Sequence, residues 1–198
     1  MRGGSILVFI IMAKWKKQTL KLQKNHRWKA KAGYRICVIG RGAVRFDIPQ
    51  GWIMEPDAAS IKFYDGAPPD DNCRLEASYN VIPSIDWSGF PLEQLLKEVV
   101  EGDHRGQISI GEVISVRRVD LRLVWTEFCF QDLVENREAY SRVCIGIGNN
   151  VQCLITMDFW PEDRARATPV WDEALRTLKL GMYVSDPTLG DAKEYHTN

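Results

Sequence analysis

The sequence of 198 residues predicts an α+β protein, an antiparallel β-sheet meander with helices packed on it. Segments of alternating apolar and polar residues follow one another in runs, whereas a doubly wound parallel fold would alternate them regularly with helices. Apolar residues recur at helical spacing near the middle of the chain and near its end. The composition, 45% hydrophobic and 26% charged, is typical of a globular protein and argues against collagen-like, disordered and membrane-spanning classes.

The first predicted strand runs from Val44 to Ile48. Its apolar side chains alternate with Arg45 and Asp47, which is the period of a strand with one buried and one solvated face. The sequence Pro-Gln-Gly that follows favours a turn, after which Trp52 opens a new segment. We therefore expect Arg45 and Asp47 to face solvent.

Two further strands are predicted before the middle of the chain. One covers Ser60 to Tyr64, and the other covers Cys73 to Val81, where apolar residues alternate cleanly with polar ones. Residues 65–72 between them are rich in Asp, Gly and Pro, which predicts a loop.

An amphipathic helix is predicted from Pro91 to about Val100. Its apolar side chains fall at i, i+3, i+4 and i+7 and therefore share one face, and proline is favourable in the first turn. Gly102 lies just beyond the expected end. The residues of the apolar face are Leu92, Leu95, Leu96 and Val99.

The second half of the chain contains the rest of the predicted meander. Its segments are rich in β-branched and aromatic residues. The sequence Gly148-Asn149-Asn150 suits a tight hairpin, since these residues tolerate positive φ. The predicted strands are Gln107 to Ile110, Glu112 to Arg118, Leu121 to Gln131, Arg137 to Ile147 and Val151 to Phe159.

A second helix is predicted from Pro161 to Leu178, followed by a frayed tail from Met182 to Asn198. Trp171 lies on the apolar stripe of this helix, so we expect it in the core. These elements divide the chain into a basic arm at 1–40, a single α+β domain at 41–180 and a tail at 181–198. The apolar stripe consists of Val170, Trp171, Ala174, Leu175 and Leu178.

The segment Val44-Arg-Phe-Asp-Ile-Pro-Gln-Gly-Trp52, together with the mid-chain helix, the meander and the terminal helix, resembles the PsbP-like superfamily. The resemblance covers about Arg41 to Leu180 and implies an α/β/α sandwich. Members of the superfamily include the extrinsic subunit of photosystem II and a nuclear-import factor that binds the GTPase Ran. The resemblance therefore implies a scaffold for binding larger partners, and it transfers no functional residue.

Charge divides the chain sharply. Every charged residue from Met1 to Phe46 is basic, twelve in all, so 14 of the 26 Lys and Arg remain for residues 47–198 against all 26 Asp and Glu. The body therefore carries a net charge of −12, although the whole chain is neutral. Such asymmetry is typical of a basic arm that meets an anionic partner.

The arm combines its basic residues with two tryptophans, and Trp52 after the first strand is a further candidate interface anchor. We expect an acidic protein partner first, because the acidic body would repel a longer polyanion. Nucleic acid, with bases stacked on the arm tryptophans, and an anionic membrane surface are the other candidates. In a further alternative the arm folds back on its own acidic body and binds nothing. The candidate partner-binding residues are Lys14, Trp15, Lys16, Lys17, Lys21, Lys24, Arg27, Trp28, Lys29, Lys31 and Trp52.

The first residues contain an apolar run, Ile6 to Ala13, of only eight residues, against the roughly 20 that span a bilayer. The basic sequence Lys14-Trp-Lys-Lys17 follows where a signal peptide has its cleavage site, so we expect the native start at Met12. The five cysteines form no C-x-x-C and have apolar neighbours, which indicates free thiols in a reducing compartment. The sequence therefore predicts a cytoplasmic protein.

No residue pattern in the chain indicates catalysis. His26, His104 and His196 are scattered, and neither Gly40-Arg-Gly42 nor Gly146-Ile-Gly148 links a strand to a helix as a phosphate loop does. The sequence therefore predicts no catalytic residue, no metal and no cofactor.

These observations favour a non-enzymatic binding or assembly module that docks a protein partner, with the basic arm meeting an acidic surface. The alternative is a small-ligand-binding protein or an enzyme with a pocket between the sheet and a helix. A deep cavity holding a buried carboxylate or cysteine of perturbed pKa would favour this alternative.

Overall fold

The structure is a computed structural model that describes residues 18–192. Within this range the helices are α1 (Leu92–Glu101) and α2 (Arg164–Thr177), and α2 is entered through one turn of 3-10 helix at Pro161–Asp163. In chain order the strands are β1 (Tyr34–Ile39), β2 (Val44–Pro49), β3 (Ile53–Pro56), β4 (Ile61–Tyr64), β5 (Cys73–Val81), β6 (Gln107–Ile110), β7 (Ile114–Arg117), β8 (Arg122–Asp132), β9 (Arg137–Gly148), β10 (Val151–Phe159), β11 (Lys179–Leu180), β12 (Val184–Asp186) and β13 (Asp191–Ala192).

Eight strands form one large antiparallel sheet in the order β3-β4-β5-β10-β9-β8-β6, and β7 pairs with β8 beside β6. A second sheet of three strands has the order β1-β2-β11, and β12 and β13 form a small hairpin. The tight turn between β9 and β10 lies at Asn149, whose φ of 51° is positive, as the hairpin prediction requires. This is the antiparallel α+β architecture that the sequence predicts, so the fold class is confirmed.

The large sheet carries a core on each face, because successive residues of a strand point to opposite faces. On one face, α2 and the small sheet cover a cluster that includes Phe46, Phe63 and Trp171, all with 0% exposure. On the other face, α1 covers a cluster around Leu96 and Phe128. The layers are therefore α1, the large sheet, and the small sheet with α2.

The first predicted strand, which is β2 in the structure, differs from its prediction on one face. Arg45 is 7% exposed and Asp47 is 1% exposed, so the face expected in solvent is covered. The cover comes from the end of α2 and from the arm, since the Arg45 guanidinium donates to the carbonyl oxygens of Thr177 at 2.9 Å and Lys29 at 3.3 Å. The periodicity of a strand shows that its two faces differ but not what packs on each of them.

The end of the described chain also differs from its prediction. In residues 184–192, β12 and β13 pair with each other, and β12 lies close to the turn between β1 and β2. Gly42 in that turn has a φ of +100°, and a Cβ there would stand 2.8 Å from the backbone nitrogen of Val184. Only glycine allows this approach of the hairpin.

All five cysteines are buried and free in the structure. Burial raises the pKa of Cys37, Cys73 and Cys153 to about 12 and raises that of Cys144 well above its ordinary value. Such thiols stay protonated and act as small apolar side chains, as the sequence predicts.

We expect these thiols to resist alkylation by iodoacetamide in the native protein near neutral pH and to react fully in concentrated guanidinium chloride, as counted by intact mass. Because the ordinary thiol pKa is 9.0 and the native values are about 12, the native state holds more protons than the unfolded chain between these values. The free energy of unfolding should therefore fall as the pH rises through this range. Labelling of several cysteines in the native protein would contradict this prediction.

Candidate partner-binding surfaces

Residues 34–39 of the predicted arm form β1 and belong to the small sheet, so the described arm is residues 18–33. This segment lies along the β12–β13 hairpin and is held there by its main chain. The backbone N–H of Gln23 donates to the carbonyl of Thr188 at 3.1 Å, and that of Arg27 donates to the carbonyl of Leu189 at 2.7 Å. The side-chain amide of Gln23 also donates to the hydroxyl of Thr188 at 2.9 Å. The described part of the arm is therefore docked on its own domain.

Trp28 anchors the arm. Its indole Nε1 donates to the carbonyl oxygen of Pro187 at 2.7 Å, and its ring lies against Gly190. A Cβ at Gly190 would stand 2.8 Å from the ring, and the φ of +77° at this residue also favours glycine. The half-buried indole is thus partly covered by the hairpin, which reduces the area of the ring on which a nucleic acid base could stack.

The lysines of the arm point outward. Lys21, Lys24, Lys29 and Lys31 are exposed, and none of them forms an ion pair with a carboxylate of residues 18–192. Lys31 lies 5.4 Å from the ring centre of Tyr34. The arm thus folds back on the domain through peptide groups and Trp28, and its cationic side chains are left at the surface. Arg27 is exposed with them.

Lys14, Trp15, Lys16 and Lys17 lie outside the described residues, as does Met12, the expected start. Of the candidate partner-binding residues in the arm, the structure therefore describes only Lys21, Lys24, Arg27, Trp28, Lys29 and Lys31.

Trp52 is not at the surface, and its prediction as an interface anchor is wrong. It is 9% exposed and belongs to the core between the two sheets. Its backbone carbonyl accepts from the guanidinium of Arg35 at 2.5 Å, and its N–H donates to Pro49 across the turn. The turn that follows β2 directs the indole of Trp52 inward. The sequence of the turn alone does not reveal this direction.

A groove of about 600 Å³ runs between the first turns of α1 and the strands β7 and β8. The hydroxyl of Ser115 donates to the carboxylate of Glu93 at 2.6 Å and thereby links the sheet to the helix. The guanidinium of Arg122 donates to the carbonyl oxygens of Trp87 at 2.6 Å and Phe90 at 3.1 Å, which fixes the loop that precedes the helix. The groove occupies the position between sheet and helix at which the alternative hypothesis expects a pocket.

The rim of this groove carries two cations, Lys97 of α1 and Arg117 of β7. Both side chains are exposed, and neither forms an ion pair within residues 18–192. No motif in the sequence distinguishes either residue. Helical spacing places Lys97 on the polar face of α1, but only the pairing of β7 with β8 and the packing of α1 place Arg117 opposite it.

A second cavity of about 280 Å³ lies at the other end of the large sheet and includes Asp158. The carboxylate of Asp158 accepts from Arg74 at 2.8 Å, from Arg105 at 2.9 Å and from the hydroxyl of Ser141 at 2.7 Å. Burial raises the pKa of the half-buried Asp71 at its rim. The oxygens of Asp158 are bonded to partners on β5, on β9 and on the loop before β6, so this network joins neighbouring parts of the large sheet.

Within residues 18–192, no three His, Cys, Asp or Glu side chains are grouped so that they could hold a metal ion. In the same range no helix has the length and apolar character needed to cross a membrane.

Comparisons with known proteins agree with this fold. A family model described as Alr1449 matches residues 35–184. The uncharacterized protein alr1449 of a Nostoc species is 53% identical over 177 residues, which cover 89% of this chain and 92% of that protein. Among solved structures, the cyanobacterial PsbP of Synechocystis is 13% identical with a TM-score of 0.54, over 76% of this chain and 94% of that chain. The Ran-binding protein Mog1p of Saccharomyces cerevisiae is 11% identical with a TM-score of 0.48, over 80% of this chain and 98% of that chain. The PsbP-like resemblance inferred from the sequence is thus confirmed as a likeness of fold.

Proposed function

This chain belongs to the Alr1449 family, and we propose that it is a non-enzymatic module that docks a protein partner, with the basic arm meeting an acidic surface of that partner. The observation that carries the proposal is the way in which the arm is held. Its peptide groups and Trp28 bind the C-terminal hairpin, while Lys21, Lys24 and Lys29 remain exposed and unpaired with described carboxylates.

A docked arm is a better binding surface than a mobile one. Fixing a flexible segment costs free energy when it binds, and part of this cost is already met in the free protein by the contacts of Trp28 with Pro187 and Gly190. Complementary charge then favours the encounter and selects the partner.

A protein partner is favoured over nucleic acid by two features. The indole of Trp28 donates its N–H to the hairpin and its ring lies against Gly190, so less of the ring is open to bases. Residues 47–198 carry a net charge of −12, which repels a polyanion that extends beyond the arm. Free buried thiols support a reducing compartment, and we place the protein in the cytoplasm.

The test is affinity capture from a lysate of the native host by the full chain, compared with two arm variants that have the same number of substitutions. Lys21→Gln/Lys24→Gln/Lys29→Gln removes the charge, and Lys21→Arg/Lys24→Arg/Lys29→Arg keeps it. We expect quantitative mass spectrometry to find acidic proteins that are lost from the Gln variant, kept by the Arg variant and released by added salt.

Trp28→Ala supplies a second variant with the arm charges intact. We expect it to increase trypsin cleavage within the arm and to weaken capture of the same proteins. Capture that is equal for the Gln variant and the wild type would contradict the proposal. Capture that disappears after nuclease treatment would assign the arm to nucleic acid, and arm-dependent flotation with anionic vesicles would assign it to a membrane surface.

A further inference from the structure

We infer that the groove between α1 and the strands β7 and β8 is a second docking site, which receives an extended acidic segment of a protein partner. This inference rests on the proposed docking function and adds to it a second surface, away from the arm. Shape, charge and the free edge of β7 each support it.

The groove exists because α1 covers β8 and β9 but leaves part of β7 open. Its apolar lining includes Phe90, Leu92 and Val124. A volume of about 600 Å³ lies within the range of roughly 300 to 1,000 Å³ that is usual for ligand sites. The space therefore suits one or more apolar side chains of a bound segment.

The charge of the groove lining is positive, because the cations Lys97, Arg117 and Arg122 outnumber Glu93 and leave a net charge of +2. The carboxylate of Glu93 accepts from Ser115, and the guanidinium of Arg122 donates to two carbonyl oxygens. Lys97 and Arg117 are exposed at the rim without an ion pair in residues 18–192. On a body with a net charge of −12, these two cations mark a place that accepts an acidic side chain.

A further carboxylate in the neighbourhood is also engaged. Asp86 accepts from the backbone N–H of Ser88 at 2.8 Å and from its hydroxyl at 3.0 Å. These hydrogen bonds, followed by the charges of Arg117 and Arg122, lower the pKa of Asp86. The carboxyl group of Asp86 therefore stays ionised, and its oxygens accept hydrogen bonds from Ser88 in the same loop.

The edge of β7 favours an extended segment. Within the described residues β7 pairs with β8 alone. The N–H of Arg118 donates to the carbonyl of Leu121 at 2.8 Å and closes the turn between the two strands. Hydrogen-bonded and non-hydrogen-bonded pairs alternate along an antiparallel ladder, and the pair of Arg118 and Leu121 is hydrogen-bonded. Ser115 and Arg117 therefore belong to non-hydrogen-bonded pairs, and their peptide groups point away from β8. They are therefore available to a partner strand that lies along the groove.

The experiment is a selection of randomised twelve-residue peptides displayed on phage against the immobilised full chain, followed by fluorescence anisotropy with the enriched peptides. We expect enrichment of Asp or Glu next to a large apolar residue. Lys97→Glu/Arg117→Glu should weaken binding of these peptides by about tenfold or more. Lys179→Glu, an exposed lysine outside the groove, should leave it unchanged. Circular dichroism and the unfolding midpoint of each variant show that the fold is kept.

The outcomes separate this inference from the proposed function. Failure to enrich any peptide, or equal binding of the enriched peptides to the groove variant and the wild type, overturns the groove site. Enriched peptides that respond only to the arm variant Lys21→Gln/Lys24→Gln/Lys29→Gln also overturn it, while supporting the arm as the docking surface. Groove-dependent peptides together with arm-independent capture from lysate would support the groove and contradict the role of the arm.

Discussion

Replacing Trp171 by alanine is expected to lower the free energy of unfolding by about 3 to 5 kcal/mol. The indole is 0% exposed and lies in the core between α2 and the large sheet. Its ring meets that of Trp125 in an edge arrangement with centres 5.7 Å apart. Truncation removes these contacts and leaves a cavity that the flanking sheets and helix cannot fill by a small shift.

Denaturant unfolding of Trp171→Ala measures this loss, and two further variants interpret it. Trp171→Phe keeps an aromatic ring, and the Nε1 of Trp171 has no hydrogen-bond partner among residues 18–192, so this change should cost much less. Trp160 is only half-buried, and Trp160→Ala should also cost less. An unchanged midpoint for Trp171→Ala would contradict the packing described for α2.

Replacing Asp47 by alanine is expected to lower the free energy of unfolding by about 3 to 5 kcal/mol, the usual cost of leaving one charge of a buried pair alone. The carboxylate Oδ1 of Asp47 lies 2.7 Å from Nη2 of Arg45, and both side chains are at most 8% exposed. Without Asp47 the guanidinium keeps only carbonyl partners, such as that of Thr177.

The pair itself is costly, which makes a second variant informative. Burial raises the pKa of Asp47 more than Arg45 lowers it, and Oδ1 accepts no aligned hydrogen bond from the described part of the chain. The native state therefore holds a proton on Asp47 to higher pH than the unfolded chain, so the contribution of this group to stability is greatest below its unfolded pKa and falls as the pH rises through the native value.

We expect Arg45→Met/Asp47→Leu to be close to neutral, because an apolar pair of similar size avoids the cost of burying two charges. Thermal and urea unfolding of both variants measure the difference. The exposed pair of Asp57 and Lys62 is the control, and Asp57→Asn should leave the unfolding midpoint unchanged. A double variant that is as unstable as Asp47→Ala would show that the pair stabilises the fold by itself.

The candidate surfaces were only partly predictable from the sequence. Exclusive positive charge in the arm identified Lys21, Lys24 and Lys29 as surface cations, because such a run has no core in which to lie. From the sequence, Trp28 is a candidate partner-binding residue of the arm, yet its indole binds the C-terminal hairpin. The hairpin partner is 159 residues away, and no local pattern connects the two.

The sequence by itself determined β2, the strands from β4 to β10, the two helices and the α+β class, because hydrophobic period and turn residues are local properties. It did not reveal β1, β3 or the short strands β11, β12 and β13. It also determined the contrast between a basic arm and an acidic body. Only the tertiary structure decided which strand faces are covered, and so buried Arg45, Asp47 and Trp52. It likewise decided that Lys97 and Arg117 face one groove. These outcomes depend on contacts between residues far apart in the chain, and periodicity carries no information about the identity of a distant neighbour.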